Sequence, residues 1–201
     1  PALAAKIVAS HERAVAEALG YLERLAGHGL RGHQGGSQRA TRIDIDGLVA
    51  AAFTHHTSRS DDPQLHTHLV IANLLHGRDG TWSALDSRAF YYQARTAGCI
   101  YQAALRGELT RTLGVGWGPV RRGVAEVTGI STALRKAFSS RREAIEKELD
   151  RTGGSGRRAA QRAAYVTRPA KSHAPQQSLR EAWSTRAEAQ GCDSAAVVSN
   201  V

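Results

Sequence analysis

Four histidines lie near one another in the sequence, at spacings that suit a metal site. His55 and His56 precede a turn at Asp61–Pro63. His66 and His68 follow that turn, and on a β-strand their side chains would point to the same face. The turn would fold the preceding strand alongside and bring one of the first two histidines opposite this pair. We therefore predict a site of three imidazoles, with the acidic residues of the turn shaping the chain rather than binding the ion.

Three imidazoles would give such a site a particular chemistry. Neutral ligands leave a divalent ion its full positive charge, so an open coordination position can bind a phosphate oxygen and polarise the phosphorus for attack. Three carboxylates would cancel that charge. The pattern does not choose between His55 and His56, because neighbouring strand residues face opposite sides of a sheet. A pair of histidines two apart on a strand also occurs without any metal.

The first part of the chain predicts a helix and a strand. Apolar residues at helical spacing predict a helix from Leu3 to Ala26, which Ser10–Glu12 either interrupts or continues on its solvent face. The stretch Gly27–Gln38 is rich in glycine and histidine and predicts a loop. Alternating apolar and polar residues then predict a strand at Arg42–Asp46.

The central part predicts antiparallel strands around the histidines. Leu48–Thr57 and His66–Leu75 are apolar enough to predict strands buried on both faces. Gly77–Gly80 is a strong hairpin signal, after which Thr81–Leu85 would return antiparallel. The connections are too short for parallel pairing, which needs a long crossover.

The rest of the chain predicts mainly helices. Asp86 and Ser87 can cap a long helix that ends at Gly114. Trp117–Thr128 would contribute one or two short strands. Three more helices are expected, namely a charged one over Ser131–Asp150, a short basic one after the glycines that follow, and one ending near Gln190. We thus predict an α+β fold, an antiparallel sheet flanked by helices with a helical C-terminal part, divided into residues 1–130 and 131–201.

The charge of the chain points to an acidic partner. The formal net charge is +9 and the pI is about 10.2. Between Arg121 and Lys171 there are 13 Lys and Arg against 5 Asp and Glu, so nucleic acid is the first candidate. No apolar run is long enough to cross a bilayer and no signal peptide is evident, which predicts a cytoplasmic protein. Cys99 and Cys192 form no ligand pattern. The chain has no Met and begins at Pro1, so we expect it to be a piece of a longer protein.

The histidine segment resembles the signature of the TrwC/TraI-type (MobF) relaxases of conjugative plasmids, which belong to the HUH endonucleases. That signature has an upstream His, Thr-Ser-Arg, an acidic-Pro turn, Leu-His-Thr-His and a later Asn, here running from His55 to Asn73. The register selects His55, His66 and His68 as metal ligands. His56 stands where the family has an acidic residue. The family's hairpin, its Ala- and Tyr-rich helix and its closing segment are similar to residues 77–86, 92–105 and 167–193.

The resemblance implies a fold, a reaction and site residues. Residues 1–130 would form part of the relaxase palm with the three-histidine site, and residues 131–201 a helical, fingers-like part. Mg²⁺ or Mn²⁺ would be the working ion, with Zn²⁺ as an alternative. His56 and Asn73 would support the ligands. The residues expected to contact DNA are Arg59, Arg121, Arg122, Arg168 and Lys171.

The family's nucleophile has no counterpart in this sequence. The family carries catalytic tyrosines at its extreme N-terminus, followed by an Asp on a strand, and neither feature occurs here. The five tyrosines lie at helical or late positions, and Tyr91 and Tyr92 are expected to be packing residues. Trp117 and Trp183 could stack on DNA bases, but we expect both to lie in the core.

The sequence therefore predicts part of a relaxase that nicks one strand of transfer-origin DNA by metal-assisted attack of a tyrosine. The partners implied are single-stranded DNA and other relaxosome proteins, and the isolated chain should not nick DNA. Two rivals remain. One is a remnant that binds DNA or metal without catalysis. The other is a cupin-type metallohydrolase acting on small molecules, which would need an acidic base near the histidines.

Overall fold

The computed structural model describes residues 2–32, 40–170, 172 and 174–192. The chain separates into two compact units, Pro1–Thr54 with Thr67–Glu126 and His55–His66 with Val127–Val201. The elements in order are α1 (Ala2–Ala26), β1 (His28–Arg31), β2 (Thr41–Asp44), β3 (Ala50–Thr57), β4 (Pro63–Ile71), β5 (Leu75–His76), β6 (Trp82–Ser83), α2 (Arg88–Leu113), α3 (Thr132–Ala137), α4 (Ser140–Thr152), α5 (Gly156–Val166) and α6 (Gln176–Glu188).

The strands form three two-stranded sheets, which with the helices give the predicted α+β fold. In the first sheet β1 pairs antiparallel with β2, from His28 opposite Asp44 to Arg31 opposite Thr41. Strand β1 lies where the sequence predicted a loop, because its backbone finds a partner across the chain that local composition does not reveal. The predicted hairpin after residue 74 is confirmed as β5 and β6.

Helices α1 and α2 pack antiparallel and form the frame of the first unit. Small side chains let them approach closely, since Ala14 in α1 is fully buried and Ala97 in α2 is nearly so. Polar pairs join the helices along their length, including Arg13 to Glu108 at 3.0 Å and Tyr21 to Gln93 at 2.6 Å. The helix predicted from residue 3 to 26 is confirmed and is not interrupted at Ser10–Glu12, of which Ser10 and His11 are buried rather than solvent-facing.

A small apolar core lies under the short strands of the first unit. Ile45, Leu75 and Leu85 form it, with Leu48, Ile71 and Phe90 packed against them. Gly29 on β1 crosses above this cluster, where an added Cβ would lie 3.0 Å from the Leu75 side chain. A larger residue there would have to displace the most buried leucine of the core.

Helix α2 begins and ends where its sequence predicts, but of the two expected capping residues only Asp86 makes the side-chain bond, since Ser87 makes no capping hydrogen bond. Asp86 accepts from the backbone N–H of Arg88 at 3.2 Å and from its guanidinium at 2.9 Å. These Arg88 hydrogen bonds are the main cause that lowers the pKa of Asp86, against the opposing effect of burial. At the other end Gly114 adopts φ 70° and donates to the carbonyls of the last turn, a left-handed conformation that glycine adopts without strain.

The second unit contains two helices where one was predicted. Instead of continuing over Ser131–Asp150, the chain leaves helical geometry at Phe138 and Ser139, where Ser139 donates its hydroxyl to the Arg135 carbonyl at 2.7 Å. A serine side chain that bonds the preceding turn competes with the helix backbone. The spacing of the apolar residues does not predict the break, because the same helical spacing continues from α3 into α4.

Two further expectations are corrected. Strands β3 and β4 are not buried on both faces, since Phe53 is 53% and Val70 is 59% exposed. An apolar run indicates that burying the strand would be favourable. Whether each face is actually buried depends on which other elements pack against it. Residues 117–128 contain isolated bridge residues, among them the pair Arg121 and Val124, in place of the strands expected there. In the described part of the chain, no helix is long and apolar enough to cross a membrane.

Candidate metal centre

The three predicted ligands meet on the hairpin formed by β3 and β4. Its strands run antiparallel, as shown by hydrogen bonds from Ala72 N–H to the Val49 carbonyl at its base and from Ser58 N–H to the Asp62 carbonyl at its tip. This pairing places His55 opposite His66, with their rings edge to face and 5.3 Å apart. The donor atoms of His55, His66 and His68 all lie within 4.8 Å of one another.

These distances fit one metal ion. Three atoms no more than 4.8 Å apart lie within about 2.8 Å of a common centre, and metal–imidazole bonds are about 2.0–2.1 Å long. Small rotations of the imidazole rings would bring the three nitrogens to that bond length. A set of three nitrogen ligands leaves coordination positions for water or substrate. His55 and His68 are exposed and His66 is half-buried, so the open side is accessible.

A backbone contact fixes the orientation of one ligand. His66 donates from Nδ1 to the Gln64 carbonyl at 3.0 Å, because a carbonyl oxygen can only accept. In the neutral ring this tautomer makes Nε2 the nitrogen that would coordinate an ion. Metal-binding histidines commonly have this kind of supporting hydrogen bond.

The hairpin and most of the chain around it are similar to proteins of known description. The sequence model for the family described as TrwC relaxase matches residues 1–190. This chain belongs to the TrwC relaxase family.

Relatives of known description agree with this assignment. The multifunctional conjugation protein TraI of Escherichia coli is 30% identical over 94% of this chain, and that of strain K12 is 28% identical over the same share. The chain spans 11% of the length of each. The conjugative relaxase TrwC, solved in complex with oriT DNA in a metal-bound form, is 31% identical with a TM-score of 0.85, over 94% of this chain and 65% of that one. TrwC bound to a 27-mer DNA with the recognition hairpin and the cleavage site has the same identity and TM-score.

The two residues implied to support the ligands are His56 and Asn73, and neither belongs to the cluster of three imidazoles. Since residues 54 and 56 share one face of β3 and residue 55 the other, His56 points away from the three ligands. Asn73 is exposed in the bend between β4 and β5. The role of both residues stays a prediction for this member of the TrwC relaxase family.

The basic residues expected to contact DNA are spread over both units. Arg59 is half-buried in the turn of the hairpin, and Arg121 and Arg122 are exposed in the turn closed by the bridge to Val124. Arg168 is exposed after α5, and Lys171 lies outside the described residues.

Two aromatic pairs behave differently from each other. Tyr91 and Tyr92, expected to pack, are 83% and 81% exposed, so that prediction is wrong. Both side chains lie on the part of α2 that faces solvent. Trp117 and Trp183 were expected in the core but are only half-buried, and their indole N–H groups donate to Thr110 Oγ1 at 2.9 Å and to the Asp61 carbonyl at 2.7 Å.

Sequence reasoning missed the importance of Asp62 at the tip of the hairpin. Its side chain is 3% exposed in the second unit and accepts from the backbone N–H of Ser140 at 2.8 Å and from its hydroxyl at 2.9 Å. It also pairs with Arg186, whose guanidinium lies 4.5 Å from the centre of the Phe138 ring. An Asp-Pro sequence predicts a turn, whereas its partners are 78 and 124 residues away and leave no local signal.

Proposed function

We propose that this chain supplies the metal site and part of the DNA-binding surface of a conjugative relaxase, an enzyme that nicks one strand at a plasmid transfer origin. The observation that carries the proposal is the convergence of three imidazole donors within 4.8 Å in a chain of the TrwC relaxase family. Relatives described as bound to metal and to oriT DNA support it. Such an enzyme would work on DNA in the cytoplasm.

In this proposal His55, His66 and His68 hold a divalent ion on the open face of the hairpin. The chemistry supplied there is Lewis-acid binding of a phosphate oxygen, which stabilises the charge that develops during attack. We propose Mg²⁺ or Mn²⁺ as the working ion, while an all-imidazole site also accepts Zn²⁺ or Cu²⁺. The Nδ1–H bond of His66 to the Gln64 carbonyl orients that ligand before any ion arrives.

The attacking group is proposed to be a tyrosine outside these 201 residues, and it would become linked to the 5′ phosphate. Residues 1–130 would then be part of the palm and residues 131–201 the helical part over the DNA. Other relaxosome proteins remain predicted partners.

The DNA surface is proposed to depend on α5 more than on α4. In α4 three of the four basic side chains pair with acids on the same helix, in the Arg142–Glu146, Lys147–Glu143 and Arg151–Glu148 pairs. Helix α5 contains three arginines and no acid. Arg158, Arg162 and Tyr165 are exposed at helical spacing, which would place a ring beside two phosphate-binding groups.

The metallohydrolase alternative has little support. It requires an acidic base near the histidines, but the metal cluster found in the described residues contains only imidazoles. Asp62 is nearby in sequence, yet its carboxylate is engaged by Ser140 and Arg186. The alternative of a non-catalytic remnant differs from the proposal only in whether the parent protein cleaves DNA. Metal binding by this chain is therefore the first property to test.

The test is calorimetric titration of the 201-residue chain with Mn²⁺. We expect His55→Ala, His66→Ala and His68→Ala each to weaken binding at least about tenfold, because two ligands hold an ion poorly. His56→Ala is the matched control and should lose less than His55→Ala. Equal losses for these two neighbours, or no binding by the wild-type chain, would refute the proposal.

A further inference from the structure

A buried histidine lies behind the metal-binding hairpin and is not one of its ligands. His11 in α1 is 2% exposed, and both of its ring nitrogens are hydrogen-bonded. Nδ1 lies 2.8 Å from the hydroxyl of Tyr101 in α2, and Nε2 lies 2.7 Å from the hydroxyl of Thr67 in β4. Burial raises the pKa of Tyr101, so its hydroxyl stays protonated. Since each hydroxyl can donate or accept, either tautomer of the imidazole satisfies both partners.

The chain of hydrogen bonds continues across the hairpin. The hydroxyls of Thr67 and Thr54 lie 3.0 Å apart, which joins β4 to β3. Thr67 stands between His66 and His68 in the sequence, and Thr54 immediately precedes His55. Every ligand is thus next to a threonine of this network. Strand alternation turns the two hydroxyls to the face opposite the imidazoles, so the network contacts no ion.

This arrangement ties Thr67 and Thr54, the strand residues next to the ligands, to the two-helix frame of the first unit. A backbone shift or twist at Thr67 would move His66 and His68 together, and one at Thr54 would move His55. His11 links these strands to two long, closely packed helices. Metal sites require precise ligand placement, and the groups that hold the ligands influence affinity strongly.

We propose that His11 is a positioning residue for the metal centre, acting through the hydroxyls of Thr67 and Thr54 to fix the strands from which the three ligands project. The inference rests on the proposed function, because it presupposes that the triad binds an ion. According to this proposal α1, which is distant in sequence from the hairpin, contributes to the affinity of the site for a metal ion.

The experiment compares Thr67→Val with Thr67→Ser in the 201-residue chain. Valine keeps the shape and strand preference of threonine but removes the hydroxyl, whereas serine keeps the hydroxyl. Binding of Co²⁺ is followed by its visible absorption, which reports ligand geometry as well as affinity. We expect Thr67→Val and His11→Ala to weaken binding about tenfold and to change the spectrum, and Thr67→Ser to restore both.

Two controls separate positioning from a general loss of stability. Ser10→Ala removes a buried hydroxyl one residue away, which lies 3.4 Å from the hydroxyl of Thr112, and should lower the Tm without changing the spectrum. Thr54→Val probes the same network from β3 if Thr67→Val does not fold. Wild-type affinity and spectrum in Thr67→Val or in Thr54→Val would overturn the inference while the triad still binds. Failure of the wild-type chain to bind any ion would overturn the proposed function as well.

Discussion

At the scale of single residues, two acidic neighbours in one turn have different tasks. Asp61 adopts φ 57° and offers its carbonyl to Trp183, so its contribution comes from the backbone rather than from the charge of its side chain. Asp62 places a buried carboxylate among Ser140 and Arg186. Only the carboxylate of this ion pair is buried, since the Arg186 side chain is 37% exposed and water can partly compensate its charge if Asp62 is removed.

We predict that Asp62→Ala lowers the free energy of unfolding by about 2 kcal/mol, because the N–H of Ser140 loses its acceptor and the partly exposed Arg186 loses its partner. Urea unfolding followed by circular dichroism measures the change. Asp61→Asn is the control, since asparagine tolerates the left-handed conformation. Its stability should stay close to wild type, and a loss equal to that of Asp62→Ala would contradict the assignment.

A second residue-scale prediction concerns pH. Hydrogen bonds from Arg88 hold the pKa of Asp86 below its ordinary value. A carboxyl with a lowered folded-state pKa contributes stability that is present above the unfolded value of about 3.9 and is lost as the pH falls through the folded value. Arg88→Ala should raise the Asp86 pKa and remove this contribution, as measured by NMR titration of the carboxyl carbon. Arg95→Ala on the same helix should leave it unchanged.

At the scale of elements, the hairpin of β3 and β4 is fastened at two places. Hydrogen bonds through Thr54 and Thr67 hold the middle of its strands in the first unit, and Asp62 makes hydrogen bonds at its tip within the second. A two-stranded hairpin is only marginally stable by itself. These attachments therefore explain how a mostly exposed ribbon can keep three ligands in place.

The second element with a distinct role is α5, whose charge we predict to be measurable in DNA binding. Arg158→Gln with Arg162→Gln should weaken binding of a single-stranded oligonucleotide, measured by fluorescence anisotropy. The slope of log affinity against log salt should become shallower by about 0.7 for each phosphate that the variant no longer neutralises. Arg142→Gln with Lys147→Gln on α4 removes equal charge from existing ion pairs and should have a smaller effect. Equal effects would indicate that only net charge matters.

At the scale of the whole molecule, a cluster of three imidazoles and a formal net charge of +9 are the two features on which the proposed role in DNA nicking rests. The sequence predicts that none of its tyrosines is the nucleophile that the family resemblance implies. Tyr21 and Tyr101 are hydrogen-bonded across α1 and α2, to Gln93 and to His11 respectively. The other three tyrosines, Tyr91, Tyr92 and Tyr165, are exposed on helices.

We therefore predict that the 201-residue chain binds single-stranded DNA without forming a covalent adduct. Incubation with a labelled oligonucleotide and Mn²⁺, followed by a denaturing gel, should show no protein-linked label. A relaxase known to form the adduct provides the positive control. A labelled band that disappears when one of the five tyrosines is changed to phenylalanine would show that this chain carries its own nucleophile.

The sequence by itself determined what depends on local spacing. The strand period and the turn at Asp61–Pro63 predicted which face His66 and His68 share, and capping residues predicted both ends of α2. Only the tertiary structure decided which side chains are buried. Burial of His11 and Asp62, and exposure of Tyr91, depend on partners brought close by folding from distant parts of the chain. Periodicity shows that a residue faces one side of its element, but not what lies on that side.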